Sequence, residues 1–401
     1  MIRELRERFN REYRDETYRA VCASLESASG TAIEFRIAET PLFIPNDVAA
    51  RVARLAEEIL LRAASHELQR VGETAIPAEW RYAGETEKPL FAAVDFAITG
   101  SIEAPEFKLI ELQGFPSLYH YQPLFSATLR DAYDLPASMN GMFDPAFGLE
   151  RYYHVLHSAI VADEDPNEVV LLEVDPHHQK TRCDFYLAAT QHGIRIVDIR
   201  DVFAVGNELF YRDNNGVRRR IRRIYNRSIV DELARKQVAL QFDVTRAYTV
   251  TWAGHPNWYF RISKTLLPHL VGTNEAVPNA FYLDGADHAS LDLSRYVLKP
   301  LFSFAGLGVN VHPTAEDIDR IPSAERHNWL LQEKVDYADI IHTPAGDGVR
   351  AELRALLVWL PEWASPKAMH TLVRLTRGKM IGVDFNKGLD WVGSSCGLVS
   401  A

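Results

Sequence analysis

Apolar and polar residues alternate through the stretch VDFAITGSIEAPEFKLIELQGFP, and Gly100 and Pro105 interrupt the alternation. The pattern predicts two strands joined by a turn within residues 90–120. Upstream, residues 1–85 read as mainly helical. VAARVARLAEEILLRAASHELQRV carries apolar residues at helical spacing, with Asn46 or Asp47 as its N-cap. Residues 121–163 read as helical and irregular, with Pro136 and Pro145 as breakers. At 169 the period changes. VVLLEV is a continuous apolar run of buried-strand type, a helix is predicted over 181–192 and ends at Gly193, and IRIVDI is a second strand. Strand–helix–strand with short links implies a right-handed βαβ unit. ELFYRDNNGVRRRIRRIYNRS continues it, turning at Asn214-Asn215-Gly216. From about 240 onward come a helical stretch around Lys264, the strand YVLKP running into a glycine-containing loop, and the strands NWLLQEKV, RAELRALLVWL and TLVRLTRGKMIGVDF. These changes divide the chain into 1–164, a small α/β unit at 165–238, and 239–401.

Composition narrows the function classes. With 401 residues, 47% hydrophobic and 24% charged, the chain is ordinary globular protein, large enough to bury a sizeable core. A net charge of −10 argues against a general nucleic-acid binder, and RRRIRR, interrupted by Ile221, reads as a strand with mixed faces. No apolar run reaches the ~18 residues of a membrane span. The charged first residues do not form a secretory signal, and three scattered cysteines (Cys22, Cys183, Cys396) suit a reducing compartment, so cytoplasm is the expectation.

Several residues carry candidate chemistry. A strand–turn–strand brings Asp95 near Glu111 and Gln113, and the latter two share a strand face. Two carboxylates ~4 Å apart repel by on the order of 4 kcal/mol at an effective dielectric near 20. A magnesium ion or a shared proton removes that repulsion. The same residues also fit an ordinary exposed hairpin. Lys299 ends an apolar strand before a loop with Ser303, Gly306 and Gly308, where backbone N–H groups and a lysine can meet phosphate. The loop matches neither the Walker pattern nor the dinucleotide fingerprint. Gln332, Glu333 and Val335 end a strand whose backbone can hydrogen-bond an adenine edge. Lys264 lies on a helical stretch, as a phosphate ligand or a solvated lysine. Arg350 follows a glycine loop, as a phosphate clamp or an ion-pair partner of Glu352. His177-His178 offers a weak metal pair without a third ligand, and no catalytic cysteine context or G-x-S-x-G occurs. Tyr119, His120 and Tyr121 either face a substrate or pack.

In this order the segments resemble the circularly permuted ATP-grasp ligases, in particular the synthetase domain of glutathionylspermidine synthetases, over roughly residues 90–355. The family's Arg-Phe-Asp-Phe strand and its Leu-Leu-Glu-Tyr-Asn-Ala-Asp-x-Pro segment stand where this chain has Val94-Asp95-Phe96 and Ile110-Glu111-Leu112-Gln113-Gly114-Phe115-Pro116. Its Asn-Lys-x-Leu-Leu-Pro matches Ser263 to Pro268, its Lys-Pro strand end and loop match Lys299 to Asn310, and its late Pro-Ala-Gly-x-Gly-x-Arg matches Pro344 to Arg350. Gln113 replaces an asparagine. Ser303-Phe304-Ala305-Gly306 replaces Gly-Arg-Glu-Gly, with two charged groups lost. Residues 1–90 do not read as the family's cysteine amidase domain, and the last fifty residues, with Arg374, Asp384 and Asn386, do not align.

The resemblance implies an α/β (α+β) chain with a circularly permuted ATP-grasp fold and a small Rossmann-like domain inserted before the nucleotide-binding part. It implies ATP and Mg2+ as cofactors. Magnesium would sit on Asp95, Glu111 and Gln113, with Asp384 and Asn386 as rival ligands. Lys264 and Lys299 would hold the α- and β-phosphates, and Arg350 the transferring phosphoryl group. The implied reaction is ATP-dependent ligation of a small-molecule or peptide carboxylate to an amine through an acyl phosphate. The alternative is a degenerate ATP-grasp protein that binds nucleotide or peptide without ligating. Neither nucleic acid nor membrane is an expected partner.

Overall fold

The computed structural model describes residues 1–285, 290–302, 308–378 and 386–401. Its centre is an antiparallel sheet in the order Gly393–Ser395, Lys367–Thr376, Gly348–Val358, Phe91–Gly100, Pro105–Gln113, with Asp339–His342 paired beside the start of Gly348–Val358. Alternation explains its two faces. In GVRAELRALLV, residues Val349, Ala351, Leu353, Ala355 and Leu357 are buried in the main core, while Arg350, Glu352 and Arg354 take the other face. Phe91–Gly100 repeats this, with Ala92, Val94, Phe96 and Ile98 toward the core and Asp95 away from it.

Helices cover the apolar face. The helix Asn46–Ala63 buries Ala49, Val52, Leu55, Ala56, Ile59, Leu60 and Ala63, the i, i+3, i+4 stripe that its sequence predicts, and packs on the three long strands. It begins one position before the expected caps: Pro45 is the N-cap residue and no side chain caps it. The opposite face is split. Near Phe91, Ala93, Leu356 and Val358 it is apolar and packs with Tyr152 and Leu156 of the helix Leu149–Ile160 and with Leu171 and Tyr225 of a second sheet. Near Asp95, Glu352 and Arg354 it is charged.

That second sheet is parallel, in the order Thr251–Ala253, Arg223–Asn226, Val169–Glu173, Arg195–Asp198. The helix Arg182–His192 links two of its strands and ends at Gly193, whose φ of 69° is the left-handed conformation glycine favours. The segment after it does not simply extend this sheet. Phe203–Val205, Glu208–Arg212 and Arg218–Ile221 form their own antiparallel meander, with the chain reversing around Gly216. The arginine run is laid out as mixed faces: Ile221 is buried, while Arg219, Arg220 and Arg222 pair with Asp213, Glu208 and Glu168. A third antiparallel sheet, Ala280–Tyr282, Trp329–Glu333, Tyr296–Pro300, stands beside the edge strand Pro105–Gln113. Among the described residues no helix is long and apolar enough to cross a membrane.

Candidate functional site

The charged end of the central sheet is organised by one irregularity. Phe96 pairs with Leu109 and Asp95 with Glu111, so Ile110 is an extra residue, a β-bulge. Phe107 and Leu109 point into the core. Without the bulge Glu111 would follow them, but the extra residue reverses the phase, so Leu112 is buried and Glu111 and Gln113 face outward beside Asp95. Gln113 Nε2 donates to Glu111 Oε1 at 3.1 Å. A small cleft opens there, lined by Glu111, Gln113, Phe115, Tyr259, Lys264 and Phe302. Gly114 permits its wall: a Cβ on Gly114 would lie 2.1 Å from the Trp258 carbonyl oxygen, so a side chain would push away the segment that leads to Lys264.

Lys264 lines this cleft, and Lys299 stands behind it, near enough to feel the charges of Glu111 and Lys264. Lys264, on a short 3-10 turn whose start Ser263 caps, places Nζ 3.6 Å from Glu111 Oε1; its side chain is 8% exposed and that of Glu111 28%. Lys299 comes from the neighbouring sheet and is 9% exposed. Its Nζ donates to Gln332 Oε1 at 2.5 Å and to the carbonyl of the bulge residue Ile110 at 3.3 Å. Gln332 Nε2 donates to Leu109 O at 2.9 Å, which completes a bracket between the two sheets. Burial lowers the Lys299 pKa to about 8, with Glu111 and Glu352 opposing the shift and Lys264 adding to it.

Asp95 has a different environment. It is 1% exposed; Arg354 holds it through Nε at 2.6 Å and Nη2 at 2.7 Å, and Arg374 Nη2 bonds it as well. Arg374 also pairs with Glu352, whose other oxygen accepts from Tyr337 Oη at 3.0 Å. Burial alone would raise the Asp95 pKa, but Arg354 and Arg374 outweigh it and keep the carboxylate below its ordinary range. Burial pushes the Glu352 carboxyl up. Asp95 therefore does not suit magnesium, because its oxygens are committed to two cations that would repel a third. Glu111 with Gln113 does suit it, as one carboxylate and one amide beside phosphate oxygens and water. Among the described residues no group of three or more His, Cys, Asp or Glu could hold a metal ion by itself.

The other expected residues fall as follows. The Gln332 side chain forms the bracket to Lys299 and Leu109 O. Glu333 accepts from Asn279 and Arg295, and Val335 follows the end of its strand. Gly308 has φ 75° and sits against Pro300, with a Cβ contact at 3.1 Å; Ser303, Gly306 and Asp384 lie outside the described residues. Asn386 Oδ1 accepts from Thr376 Oγ1 and from the amides of Arg377 and Gly378, so it braces a turn. Arg350 lies on the charged face two positions beyond Glu352, with Nη2 held by the carbonyls of Arg377 and Gly378 and Nε 3.8 Å from Asp339. Tyr119, His120 and Tyr121 are buried packing residues, and Tyr119 Oη bonds Ala92 O and Leu357 O. His177 and His178 turn apart to Tyr186 and Asp175. Sequence reasoning missed Glu352, Arg354 and Arg374 as a cluster. The alternation Arg350-x-Glu352-x-Arg354 was the available signal, since it places three charges on one strand face.

The fold is that of a glutathione synthetase-like effector from Globodera pallida, solved in its apo form: TM-score 0.54 at 12% identity, over 90% of this chain and 93% of that one. A Methylobacillus flagellatus KT protein described as a gamma-glutamylcysteine synthetase aligns at TM-score 0.39 and 14% identity, over 83% of this chain and 84% of that one. No protein-family model and no curated protein matches the sequence.

Proposed function

We propose that this chain is an ATP-dependent carboxylate–amine ligase of the permuted ATP-grasp type. The observation that carries the reading is that Glu111, Gln113 and Lys264 line one cleft, with Lys299 from a third segment close enough to Glu111 and Lys264 to feel their charges. Two nearly buried ammonium groups share one partly exposed carboxylate there, which is an electrostatic setting for a polyanion. Lys264 and Lys299 neutralise triphosphate oxygens, and the apolar walls Phe115, Tyr259 and Phe302 limit water. Glu111 and Gln113 would hold magnesium, which when bound supplies charge neutralisation between phosphate and carboxylate. In the reaction a substrate carboxylate oxygen bonds the γ-phosphorus as the bond to the β–γ bridging oxygen breaks, and ADP leaves. The amine then attacks the acyl carbon, the C–O bond to phosphate breaks, and the amine loses its proton. The protein positions and neutralises; it forms no covalent bond.

A second reading, nucleotide binding without ligation, has one observation in its favour: Asp95, expected as a ligand, is closed by Arg354 and Arg374.

The test is thermal unfolding with Mg·ATP. Ligand at about one hundred times Kd stabilises by about 2.7 kcal/mol, so the melting temperature is expected to rise by several degrees, and Lys299→Ala is expected to remove most of that rise. An equal rise in the variant overturns the site. Phosphate release over a panel of carboxylic acids and amines separates the two readings, since the ligase requires release that depends on both substrates.

A further inference from the structure

The helix Arg3–Glu12, the turn at residues 101–104 and the strands Leu42–Ile44 and Asp339–His342 border a cavity of about 340 Å3. It shares no residue with the cleft at Glu111. Its walls are mostly apolar, with Leu42, Phe43, Ile102 and Ile341 among them. Arg6 stands in that lining, and neutral groups hold its guanidinium. Nη1 donates to Thr40 Oγ1 and Asn10 Oδ1, Nη2 donates to the Pro41 carbonyl, and the guanidinium carbon lies over the rings of Phe9 and Phe43. Among the described residues no carboxylate pairs with Arg6. The two acids at the cavity, Glu7 and Glu103, are exposed, and Glu7 pairs with Arg3 at 2.9 Å. Burial brings the Arg6 pKa down to about 9, so the group is still charged at neutral pH. In Arg36 burial pulls the same way, but a paired Glu39 outweighs it and raises the pKa. A partly buried charge held only by neutral groups is a costly arrangement, and an arriving anion relieves it.

We propose that this cavity binds a small apolar monocarboxylate, whose carboxylate meets Arg6 and whose hydrocarbon lies along Phe43, Ile102 and Ile341. The planar guanidinium fork matches a carboxylate in shape as well as in charge. The volume is at the low end of the ~300–1,000 Å3 of small-molecule sites, which suits a short chain. Glu7 and Glu103 repel a second negative charge, so a phosphate dianion is the poorer fit.

Calorimetry of the full chain with octanoate, and with octanol as its uncharged counterpart, tests this. The wild type is expected to bind octanoate at least about tenfold more tightly than octanol, as one charge-assisted hydrogen bond implies. Arg6→Met is expected to abolish that preference. Ile102→Trp changes a partly buried turn residue, keeps Arg6 and fills the space. It is expected to weaken octanoate at least about tenfold with its melting transition retained, and it carries the test if Arg6→Met does not fold. The site is overturned by any of four results: no heat of binding at about 1 mM octanoate, equal affinity for the alcohol in the wild type, a preference retained in Arg6→Met, or unchanged octanoate binding in Ile102→Trp.

Discussion

Lys299 carries a charge in a place that disfavours it. Burial brings its pKa from 10.5 to about 8. Phosphate beside it would restore the proton, so nucleotide binding is expected to take up a proton between about pH 8 and 10, and ATP affinity is expected to fall as pH rises through about 8. Calorimetry in buffers of different ionisation enthalpy reads that uptake directly, and binding without proton exchange at pH 8.5 would contradict it. Folding responds in the opposite sense. The unfolded chain holds this proton up to the ordinary lysine value and the folded chain releases it earlier, so the unfolded state binds more protons between about 8 and 10.5. Stability from this group therefore rises with pH in that window, by an order of 3 kcal/mol at full development. Comparison of wild type with Lys299→Met in urea across that range isolates it. The lysines and the Glu111–Gln113 pair were legible as residues because each stands in a distinctive local run. The fate of Asp95 was not, because its partners lie 259 and 279 positions away in sequence.

At the scale of elements, local periodicity was enough for the long strands and for the helix Asn46–Ala63, where burial follows the apolar stripe. It failed where a distant group completes an element. The helix Tyr121–Ala132 has no side-chain cap of its own. Asp184, from the helix Arg182–His192, accepts instead from the amides of His120 at 2.7 Å and Tyr121 at 3.0 Å, and pairs with Arg227 at 2.5 Å in full burial. One carboxylate thus starts one helix while sitting in another and fixes the angle between them. Asp184→Ala leaves a buried guanidinium and two orphaned amides, and is expected to cost about 3–5 kcal/mol of unfolding free energy in urea titration. A loss under about 1 kcal/mol would mean that water or a neighbour replaces it. The bulge at Ile110 was equally hidden, because a one-residue phase change inside IELQ leaves the apolar spacing on either side intact.

Across the whole molecule, early and late parts of the chain make one sheet. Phe91–Gly100 is hydrogen-bonded to Gly348–Val358, and Leu42–Ile44 runs parallel to Gly397–Val399. Residues 1–164 expressed alone would leave a long apolar strand edge open, and are expected to bind a hydrophobic dye and to melt without cooperativity; a sharp transition in that fragment would contradict the shared sheet. The topology was legible only in pieces, since no run of sequence announces which strands become neighbours across 250 residues. The bracket between the central and the three-stranded sheets has a further consequence. Lys299 and Gln332 reach across to the carbonyl oxygens of residues 110 and 109, and every amino acid supplies that oxygen. Amino-acid replacements at those two places leave the acceptors standing, whereas one residue gained or lost there would turn Glu111 inward and unfasten both clasps together. The two clasps thus constrain the length of this stretch, while its residue identities are held by other demands, Leu109 by its place in the core.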